Sequence, residues 1–349
     1  MKVLFLSAWY PTSRDAMAGL FVQKHAEAVA QQGHDVRVLF SDKIGIAWLG
    51  DMYRAWRTLQ REWGKPDVVQ MNVLDKNGLI ALWLKLHFQI PYVIIEHWSG
   101  YLPANFAFRG GWHGLIMRYV AKHASCILPV SQMLEVAMKT CNIQNDNWQR
   151  IHNVVDDFFY QPITPITITP KGEKFRFLHV SCFDEKAKNI QGMLRAIKQA
   201  TLQRRDFEVI VVGTGVDYQQ DLAYAQTLHF PKGIITFTGE QTPREVAQWM
   251  QQSDCFLFFS RYENAPVVLS ECLAVGLPII SSNAGGIPEM ISHTRNGYVA
   301  QYCNSKDLAH GIECALSHPE WKEAAMHSAA YDYSEDRVAK EYAKAYEIH

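Results

Sequence analysis

Two glutamates stand where an apolar strand is predicted to end and an apolar helix to begin. The segment runs Arg261-Tyr-Glu-Asn-Ala-Pro-Val-Val-Leu-Ser-Glu271, after a strand expected to end at Ser260. Pro266 suits the first turn of that helix, where no N–H is needed. A helix N-terminus offers free backbone N–H groups and a positive dipole end, which favour phosphate. Glu263 and Glu271 could therefore bracket a nucleotide sugar, one carboxylate on the sugar hydroxyls and the other on the ribose.

The predicted helix, Val267–Gly276, carries only two polar side chains, Ser270 and Glu271. A solvated surface helix would show a wider polar face, so Glu271 is expected to project into a polar but sheltered place. Spacing alone leaves a plainer interpretation open, in which Glu263 and Glu271 are each paired with a nearby Arg or Lys.

Alternating strands and helices are predicted to position these residues. Near-continuous apolar runs recur in both halves of the chain, which is typical of parallel sheets buried on both faces. The predicted strands are Lys2–Ala8, His34–Phe40, Asp67–Leu74, Pro91–His97, Cys126–Ser131, Phe175–Ser181, Phe207–Gly213, Ile234–Gly239, Cys255–Ser260 and Pro278–Ser282. The predicted helices include Gly19–Gly33, Ile190–Arg204, Pro243–Gln252, Val267–Val275, Lys306–Leu316 and Ser334–Glu347. This pattern predicts an α/β fold of two doubly wound domains, whose ligands bind outside the carboxyl ends of the strands, in the cleft between the domains.

A Pro- and Thr-rich segment, residues 161–170, divides the pattern. Its alternating prolines and β-branched residues exclude a helix and favour a stiff, extended chain. We therefore predict an N-terminal domain of residues 1–156, a linker of 157–173 and a C-terminal domain of 174–331. Residues 332–349 are expected to form a C-terminal helix that packs back on the N-terminal domain.

The total charge of the 349 residues is close to zero, with 34 Lys and Arg against 35 Asp and Glu. This balance argues against a nucleic-acid binder, which usually has a large positive excess. Residues 1–156 contain 16 basic and 12 acidic residues, a net +4, whereas residues 157–349 contain 18 and 23, a net −5. The two halves are therefore expected to face different partners.

Seven scattered cysteines without a Cys-x-x-Cys pattern favour reduced thiols and a cytoplasmic location. Two stripes of large apolar residues, each flanked by Arg and Lys, suggest peripheral binding on the inner face of an anionic membrane. The first stripe is Trp48, Met52, Trp56, Leu59 and Trp63, and the second is Trp112, Leu115, Ile116 and Tyr119, beside Arg118 and Lys122. The alternative is that both stripes are core faces of ordinary helices.

The two-glutamate segment resembles the signature of retaining glycosyltransferase family 4, the glycosyl transferases group 1 of the GT-B fold. Further motifs continue the resemblance in order through the chain. They are Pro11 and Gly19, Gly33-His34-Asp35-Val36, Val130-Ser131, Asn153-Val154-Val155-Asp156, Asp184-Glu185-Lys186-Ala187-Lys188-Asn189, Val212-Gly213-Thr214-Gly215, Phe237-Thr238-Gly239 and Gly285-Gly286-Ile287-Pro288-Glu289. The resemblance implies a GT-B architecture of two Rossmann-like domains facing across a cleft.

By this resemblance Lys188 would bind the donor diphosphate and neutralise the charge that develops as it leaves. The family usually places an Arg beside this Lys, and here the matching residue is Cys182. Arg261 or Lys186 could supply the missing cation, or stabilisation of the leaving group is weaker in this chain.

Other positions carried over by the resemblance would bind the donor through backbone groups. Gly19 would let the N-terminal loop approach the diphosphate closely. Asn264-Ala265-Pro266 replaces the family's Gly-Phe-Gly, so phosphate contacts would come from Ala265, Val267 or Val268. Gln241 would meet the nucleotide base through its backbone.

His97 resembles the family's histidine beside the donor sugar, where its ring or carbonyl would steady the reacting face. Glu96 is a weaker candidate for polar work at the same place. The chain has no Asp-x-Asp, the motif that holds the metal in GT-A transferases, so no metal cofactor is expected.

The sequence therefore predicts a hexosyl-type glycosyltransferase with a UDP- or GDP-linked donor and a glycan or lipid-linked acceptor, as in bacterial polysaccharide biosynthesis. We expect retention through metal-independent front-side displacement, because no nucleophilic carboxylate is evident. The alternatives are a non-catalytic nucleotide-sugar or glycan binder, which Cys182 motivates, and a nucleotide-sugar epimerase.

Overall fold

A computed structural model describes residues 1–12, 18–108, 110–327 and 331–348. The chain forms two compact units. Unit 1 comprises residues 1–154 and 332–349, and unit 2 comprises residues 155–331. Each unit contains one parallel sheet with helices between its strands, which confirms the predicted α/β class.

Unit 1 contains a five-stranded sheet in the order β2-β1-β3-β4-β5. Its interior strands are almost completely buried because helices cover both faces. Its elements are β1 Lys2–Ser7, α1 Leu20–Gln31, β2 Asp35–Phe40, α2 Gly45–Trp63, β3 Val68–Asn72, α3 Gly78–Phe88, β4 Tyr92–Glu96, α4 Gly111–His123, β5 Cys126–Pro129 and α5 Gln132–Thr140.

Unit 2 contains a six-stranded sheet in the order β11-β10-β9-β6-β7-β8. Its elements are β6 Phe175–Val180, α6 Glu185–Lys188, α7 Ile190–Ala200, β7 Phe207–Val212, α8 Tyr218–Thr227, β8 Ile235–Gly239, α9 Pro243–Gln251, β9 Cys255–Phe258, α10 Val267–Val275, β10 Ile279–Ser282, β11 Gly297–Ala300, α11 Ser305–Ser317 and α12 Glu320–His327. A last helix, α13 Glu335–Tyr346, belongs to unit 1, where it packs against α1.

The strand order of unit 2 reverses direction between β6 and β9, which are parallel neighbours. In a doubly wound sheet this reversal opens a crevice outside the carboxyl ends of the two strands. The segments that follow β6 and β9 are in contact, since the N–H of Arg261 donates to the carbonyl of Ala187, and they carry Lys188, at the end of α6, and Glu263.

The predicted strand Asp67–Leu74 is shorter in the structure, because the chain leaves the sheet after Asn72. Val73 has a positive φ of 68°, which is unusual for a β-branched residue and ends the extended conformation. The N–H of Leu74 then donates to the Glu96 carboxylate at 2.9 Å.

The first predicted membrane stripe is wrong. Trp48, Met52, Trp56 and Trp63 are buried, and they form the core-facing side of α2. A core face and a membrane face share the same apolar period, so the pattern alone could not separate them.

The second stripe is on the surface. Trp112, Leu115, Ile116 and Tyr119 project from α4 into solvent, and Trp112 is 84% exposed. Within the described residues, no helix is both long enough and apolar enough to cross a membrane.

The Pro- and Thr-rich segment lies along α9. The N–H of Ile163 donates to Gln251 Oε1 at 3.1 Å, and Thr167 donates to Gln248 Oε1 from both its N–H and its hydroxyl. These bonds satisfy polar groups of a segment that cannot form a helix.

Candidate active site

Lys188 and Glu263 form an ion pair at the carboxyl ends of β6 and β9. Lys188 Nζ lies 2.5 Å from Glu263 Oε1, and the side chains are only 17% and 12% exposed. The ammonium also lies over the ring of Phe258, 5.4 Å from its centroid. Lys188 and Glu263 were predicted as site residues for separate reasons, and the fold brings them into contact.

The pair holds its charge in a sheltered place. Burial alone would lower the pKa of Lys188, but Glu263, together with Cys182 and Asp184, outweighs burial, and the pKa of Lys188 is raised. Lys188 is therefore a cation at neutral pH. One interpretation paired Glu263 with a nearby base, and the other placed it at a donor sugar. The ion pair with Lys188 is compatible with both.

A glycine turn fixes the backbone of Glu263. Gly285 has a φ of 54°, and a Cβ atom there would lie 1.7 Å from the carbonyl oxygen of Glu263. The N–H of Gly286 donates to that carbonyl at 3.2 Å. Gly285 is a positioning residue that was absent from the predicted site, although the Gly285-Gly286 motif had marked its position.

Arg261 has a different role from the one considered for it. One end of its guanidinium donates to Glu185 Oε1 at 3.1 Å and to Asn189 Oδ1 at 2.6 Å. Its other end donates to the backbone carbonyl of Glu185. Arg261 therefore fastens β9 to the helices that carry Lys188, and it is not a spare cation.

The family usually has an Arg beside the Lys that corresponds to Lys188. Cys182, which occupies that position, and Lys186, which could replace the charge, are both exposed. Cys182 and Lys186 flank the N-terminus of α6, whose Asp184 caps the helix by accepting the N–H of Ala187. Lys186 remains a candidate to supply charge beside Lys188.

The loop after β7 supports the same crevice through two glycines. A Cβ atom on Gly213 would lie 2.0 Å from the carbonyl oxygen of Ser181, and one on Gly215 would lie 2.5 Å from the N of Phe183. The N–H of Phe183 donates to Thr214 at 2.9 Å. Only glycine permits this approach, which holds the segment leading to Lys188.

Helix α10 begins after Pro266, which is the N-cap and not a residue of the first turn as predicted. The N–H groups of Leu269 and Ser270 already bond to its carbonyl. The earlier N–H groups, those of Val267 and Val268, have no intrahelical acceptor and are suited to an anion.

Four other predicted donor residues lie just before α9, just before α10 or within α10. Asn264 is buried, and Ala265 and Glu271 are half-buried. Gln241 precedes the capping box of α9, and its Oε1 accepts a hydrogen bond from Trp249 Nε1 at 3.4 Å. This bond fixes the Gln241 side chain against α9.

Gly19 and His97 belong to unit 1, at the start of α1 and after β4. Gly19 has a φ of 66°, and a Cβ atom there would lie 2.4 Å from the backbone carbonyl of Trp9. Only glycine fits this contact with the backbone of the chain itself, and the approach of Gly19 to a diphosphate stays a prediction.

The ring of His97 packs on residues of α1. Its centroid is 4.4 Å from that of Phe21 and 5.4 Å from that of His25. Burial lowers the pKa of His97 to about 3, so the ring is neutral at pH 7. The hydroxyl of Tyr342, on α13, lies 2.9 Å from His25 Nδ1 and so helps to hold the ring of His25 against that of His97. Sequence reasoning missed both His25 and Tyr342.

Glu96 is a fully buried group, so it does not face a ligand. Its carboxylate accepts hydrogen bonds from the backbone N–H groups of Leu74, His97 and Trp98 at 2.8–2.9 Å. Glu96 therefore joins the loop after β3 to the loop that carries His97. Across the described ranges, no cluster of three or more His, Cys, Asp or Glu has the geometry to hold a metal ion.

Two family matches cover most of the chain. Residues 18–157 match the family described as Glycosyltransferase Family 4, and residues 166–333 match Glycosyl transferases group 1. The chain belongs to the family 4 glycosyltransferases.

Curated relatives of this glycosyltransferase include N-acetyl-alpha-D-glucosaminyl L-malate synthase of Bacillus anthracis. It is 25% identical over 240 residues, which is 66% of this chain and 61% of that protein. Alpha-monoglucosyldiacylglycerol synthase of Streptococcus pneumoniae is 30% identical over 155 residues, 44% of this chain and 34% of its own length. The matched part of the chain thus spans from a third to three fifths of these relatives.

The fold of this glycosyltransferase is that of HepE from Anabaena, whose structure was solved in complex with UDP. The superposition has a TM-score of 0.79 and covers 99% of both chains at 17% identity. This likeness confirms the GT-B fold.

Proposed function

We propose that this family 4 glycosyltransferase moves a hexose from a UDP- or GDP-linked donor to a glycan or lipid-linked acceptor, with retention of anomeric configuration. The observation that carries the proposal is the Lys188–Glu263 pair at the crevice of unit 2. In one place the pair supplies an ammonium group that can bind a diphosphate and a carboxylate that can accept hydrogen bonds from sugar hydroxyls. HepE was solved in complex with UDP-glucose, which supports a nucleotide-sugar donor.

The charges give each group of unit 2 a role. The donor diphosphate takes Lys188 from Glu263 and bonds to the N–H groups of Val267 and Val268. Glu263, released from the ammonium, accepts hydrogen bonds from the sugar hydroxyls. Glu271 and the backbone at Gln241 bind the ribose and the base.

The reaction we propose is a front-side displacement. The acceptor oxygen attacks the anomeric carbon on the face from which the phosphate leaves. The bond from the carbon to the phosphate oxygen breaks with its electron pair, and the acceptor proton passes to that oxygen. Lys188 stabilises the negative charge as it develops. The proposed step requires no metal.

A ligand screen tests the donor site. We expect a UDP- or GDP-sugar at about 100 times its dissociation constant to stabilise the protein by about 2.7 kcal/mol, which a thermal-shift assay detects. Lys188→Ala should abolish the shift. Lys198→Ala is the matched control, because Lys198 lies on α7 and donates to the backbone carbonyl of His229. Equal shifts in both variants would contradict the proposal, and EDTA should leave turnover unchanged.

One observation favours a second candidate, a non-catalytic nucleotide-sugar binder. Cys182 replaces the usual Arg, and Arg261 is held by Glu185 and Asn189. Tight donor binding without hydrolysis or transfer, across a panel of acceptors, would support this candidate. Release of free UDP or GDP by the purified protein would reject it.

We also propose peripheral binding at an anionic membrane through α4. The helix exposes Trp112, Leu115, Ile116 and Tyr119, and it contains Arg118 and Lys122 but no acidic residue. The wild-type protein should sediment with phosphatidylglycerol vesicles. Leu115→Ser should reduce binding several-fold, whereas Leu202→Ser, at an even more exposed leucine of unit 2, should not. Equal binding by the two variants would overturn this part.

A further inference from the structure

A cavity of about 760 Å³ lies in unit 1 between helix α5 and the segment that follows β4. Its apolar lining includes Pro103, Phe106, Met133 and Val136, and its polar lining includes Arg118. Among the described residues that line it, none is acidic. The volume is in the range of a ligand cavity, and the donor crevice of unit 2 has no part in it.

The apolar lining is left open to solvent. Phe106 is 63% exposed and Val136 is 52% exposed, and Met133 lies beside them with a similar exposure. Covering such surface releases about 25 cal/mol per Å². A hydrocarbon chain is the occupant that would gain from this lining, because few polar groups interrupt it.

The electrostatics of the segment favour a negative charge on that occupant. The sequence has no Asp or Glu between Glu96 and Glu135. Arg118 is held in the cavity wall, where its guanidinium lies 5.5 Å from the ring centroid of Phe108. Its Nε donates to the carbonyl of Cys141 at 3.0 Å, which uses one of its five donors. The fixed cation and the apolar lining together match an anionic amphiphile.

The cavity adjoins the loop that carries His97. Trp98 follows His97 directly, and its ring lies 5.2 Å from that of Tyr101. Tyr101 in turn stacks on Phe108 at 5.2 Å, and both rings line the cavity. A molecule held in the cavity would therefore be connected to His97 through the ring of Tyr101 and the neighbouring Trp98.

We infer that this cavity binds the hydrocarbon chain of a phosphate-bearing lipid, with the phosphate against Arg118. This lipid carries the acceptor of the reaction. The inference rests on the proposed function and deepens it, because it selects a lipid-linked acceptor over a free glycan. The exposed face of α4, which begins at Gly111, three residues after Phe108, would bring the cavity to the membrane surface.

The test uses dodecyl phosphate below its critical micelle concentration and isothermal titration of the full-length protein. We expect saturable binding to the wild type and at least tenfold weaker binding to Val136→Trp, which fills the cavity. Leu202→Trp adds the same bulk to an exposed site of unit 2 and should bind like the wild type. Inorganic phosphate should not compete, and dodecyl maltoside, which has the chain without the charge, should bind at least fivefold more weakly.

A second variant keeps the test valid if Val136→Trp folds poorly. Arg118→Met preserves packing on Phe108 but removes the charge, and it should weaken dodecyl phosphate at least fivefold without changing dodecyl maltoside. The inference is overturned if the wild type binds no dodecyl phosphate, if the variants that fold bind it like the wild type, or if inorganic phosphate displaces it.

Failure of the proposed function is measured separately. Binding and hydrolysis of nucleotide sugars by the wild type report on unit 2 and need no lipid. Donor turnover with unaltered dodecyl phosphate binding in the cavity variants would reject the lipid site alone. Absence of donor binding and turnover would reject the proposed function, whatever the cavity binds.

Discussion

Lys188 Nζ lies 2.5 Å from Glu263 Oε1, although 75 positions separate the two residues along the chain. Each side chain neutralises the other while the crevice holds no donor. A diphosphate and a hexose ring would separate them, since the phosphate competes for the ammonium and the hydroxyls for the carboxylate. Under the proposed function, the pair is a preformed site whose two partners are exchanged when the donor binds.

This exchange predicts opposite effects on nucleotide affinity. Lys188→Ala removes the cation, so UDP or GDP should bind more weakly and turnover should fall about 100-fold or more. Glu263→Gln releases Lys188 from its carboxylate, so the nucleotide should bind as tightly as to the wild type or tighter, while turnover still falls. Titration calorimetry with the nucleotide alone separates these outcomes.

The double variant provides the control for this first prediction. Because the two residues are in contact, their effects should not add, and the double variant should be little worse than Lys188→Ala. Additive losses in turnover, or weaker nucleotide binding by Glu263→Gln, would show that Lys188 and Glu263 do not exchange each other for the donor.

A second prediction concerns the missing cation. Cys182→Arg places a guanidinium at the exposed position beside α6, where it should strengthen nucleotide binding several-fold through a solvent-screened charge. Leu202→Arg adds the same charge at the far end of α7 and should have no effect. If both variants bind alike, the position of Cys182 does not face the diphosphate.

The sequence predicted the sheets better than it predicted the site. Long apolar runs placed every predicted strand within two residues of its ends in the structure, because burial on both faces leaves an unambiguous pattern. Strand β11 was missed, as it is short and begins at Gly297, and so was α8, whose buried face includes only Asp221 and Ala225. Such elements are determined by their neighbours more than by their own residues.

The contacts at the site depend on strand order, which no local pattern contains. Lys188 meets Glu263 only because β6 lies beside β9 in the sheet. Glu96 illustrates the converse. Its position at the end of a strand suggested a polar contact with a ligand. Its carboxylate instead accepts three backbone hydrogen bonds, which order the loop that contains His97.

A third prediction tests the glycine turn behind Glu263. Gly285→Ala forces a Cβ atom against the Glu263 carbonyl and should destabilise the protein by about 3 kcal/mol or more, while turnover falls at least about tenfold. Gly233→Ala is the control, because it has a similar φ of 74° and only the flexible end of Lys174 nearby. It should cost about 1–2 kcal/mol and leave turnover unchanged. Equal losses in both would mean that the turn does not position Glu263.

A fourth prediction follows from the buried carboxyl group of Glu96. Burial raises its pKa from 4.5 to about 7, against the lowering effect of three backbone N–H groups, and Asp75 adds to the rise. Between these two values the folded protein binds a proton that the unfolded chain has lost. The contribution to stability is therefore complete below pH 4.5 and is lost as the pH rises through about 7.

Glu96→Gln cannot ionise, so it removes this dependence. The free energy of unfolding of the variant, relative to the wild type, should rise by about 3 kcal/mol between pH 5 and pH 8. Urea denaturation followed by tryptophan fluorescence measures it in unit 1, which contains eight of the ten tryptophans. Glu62→Gln, at an exposed acid of α2, should show no such rise. A difference that is flat, or that falls with pH, would mean that Glu96 is already ionised in the folded protein at pH 5.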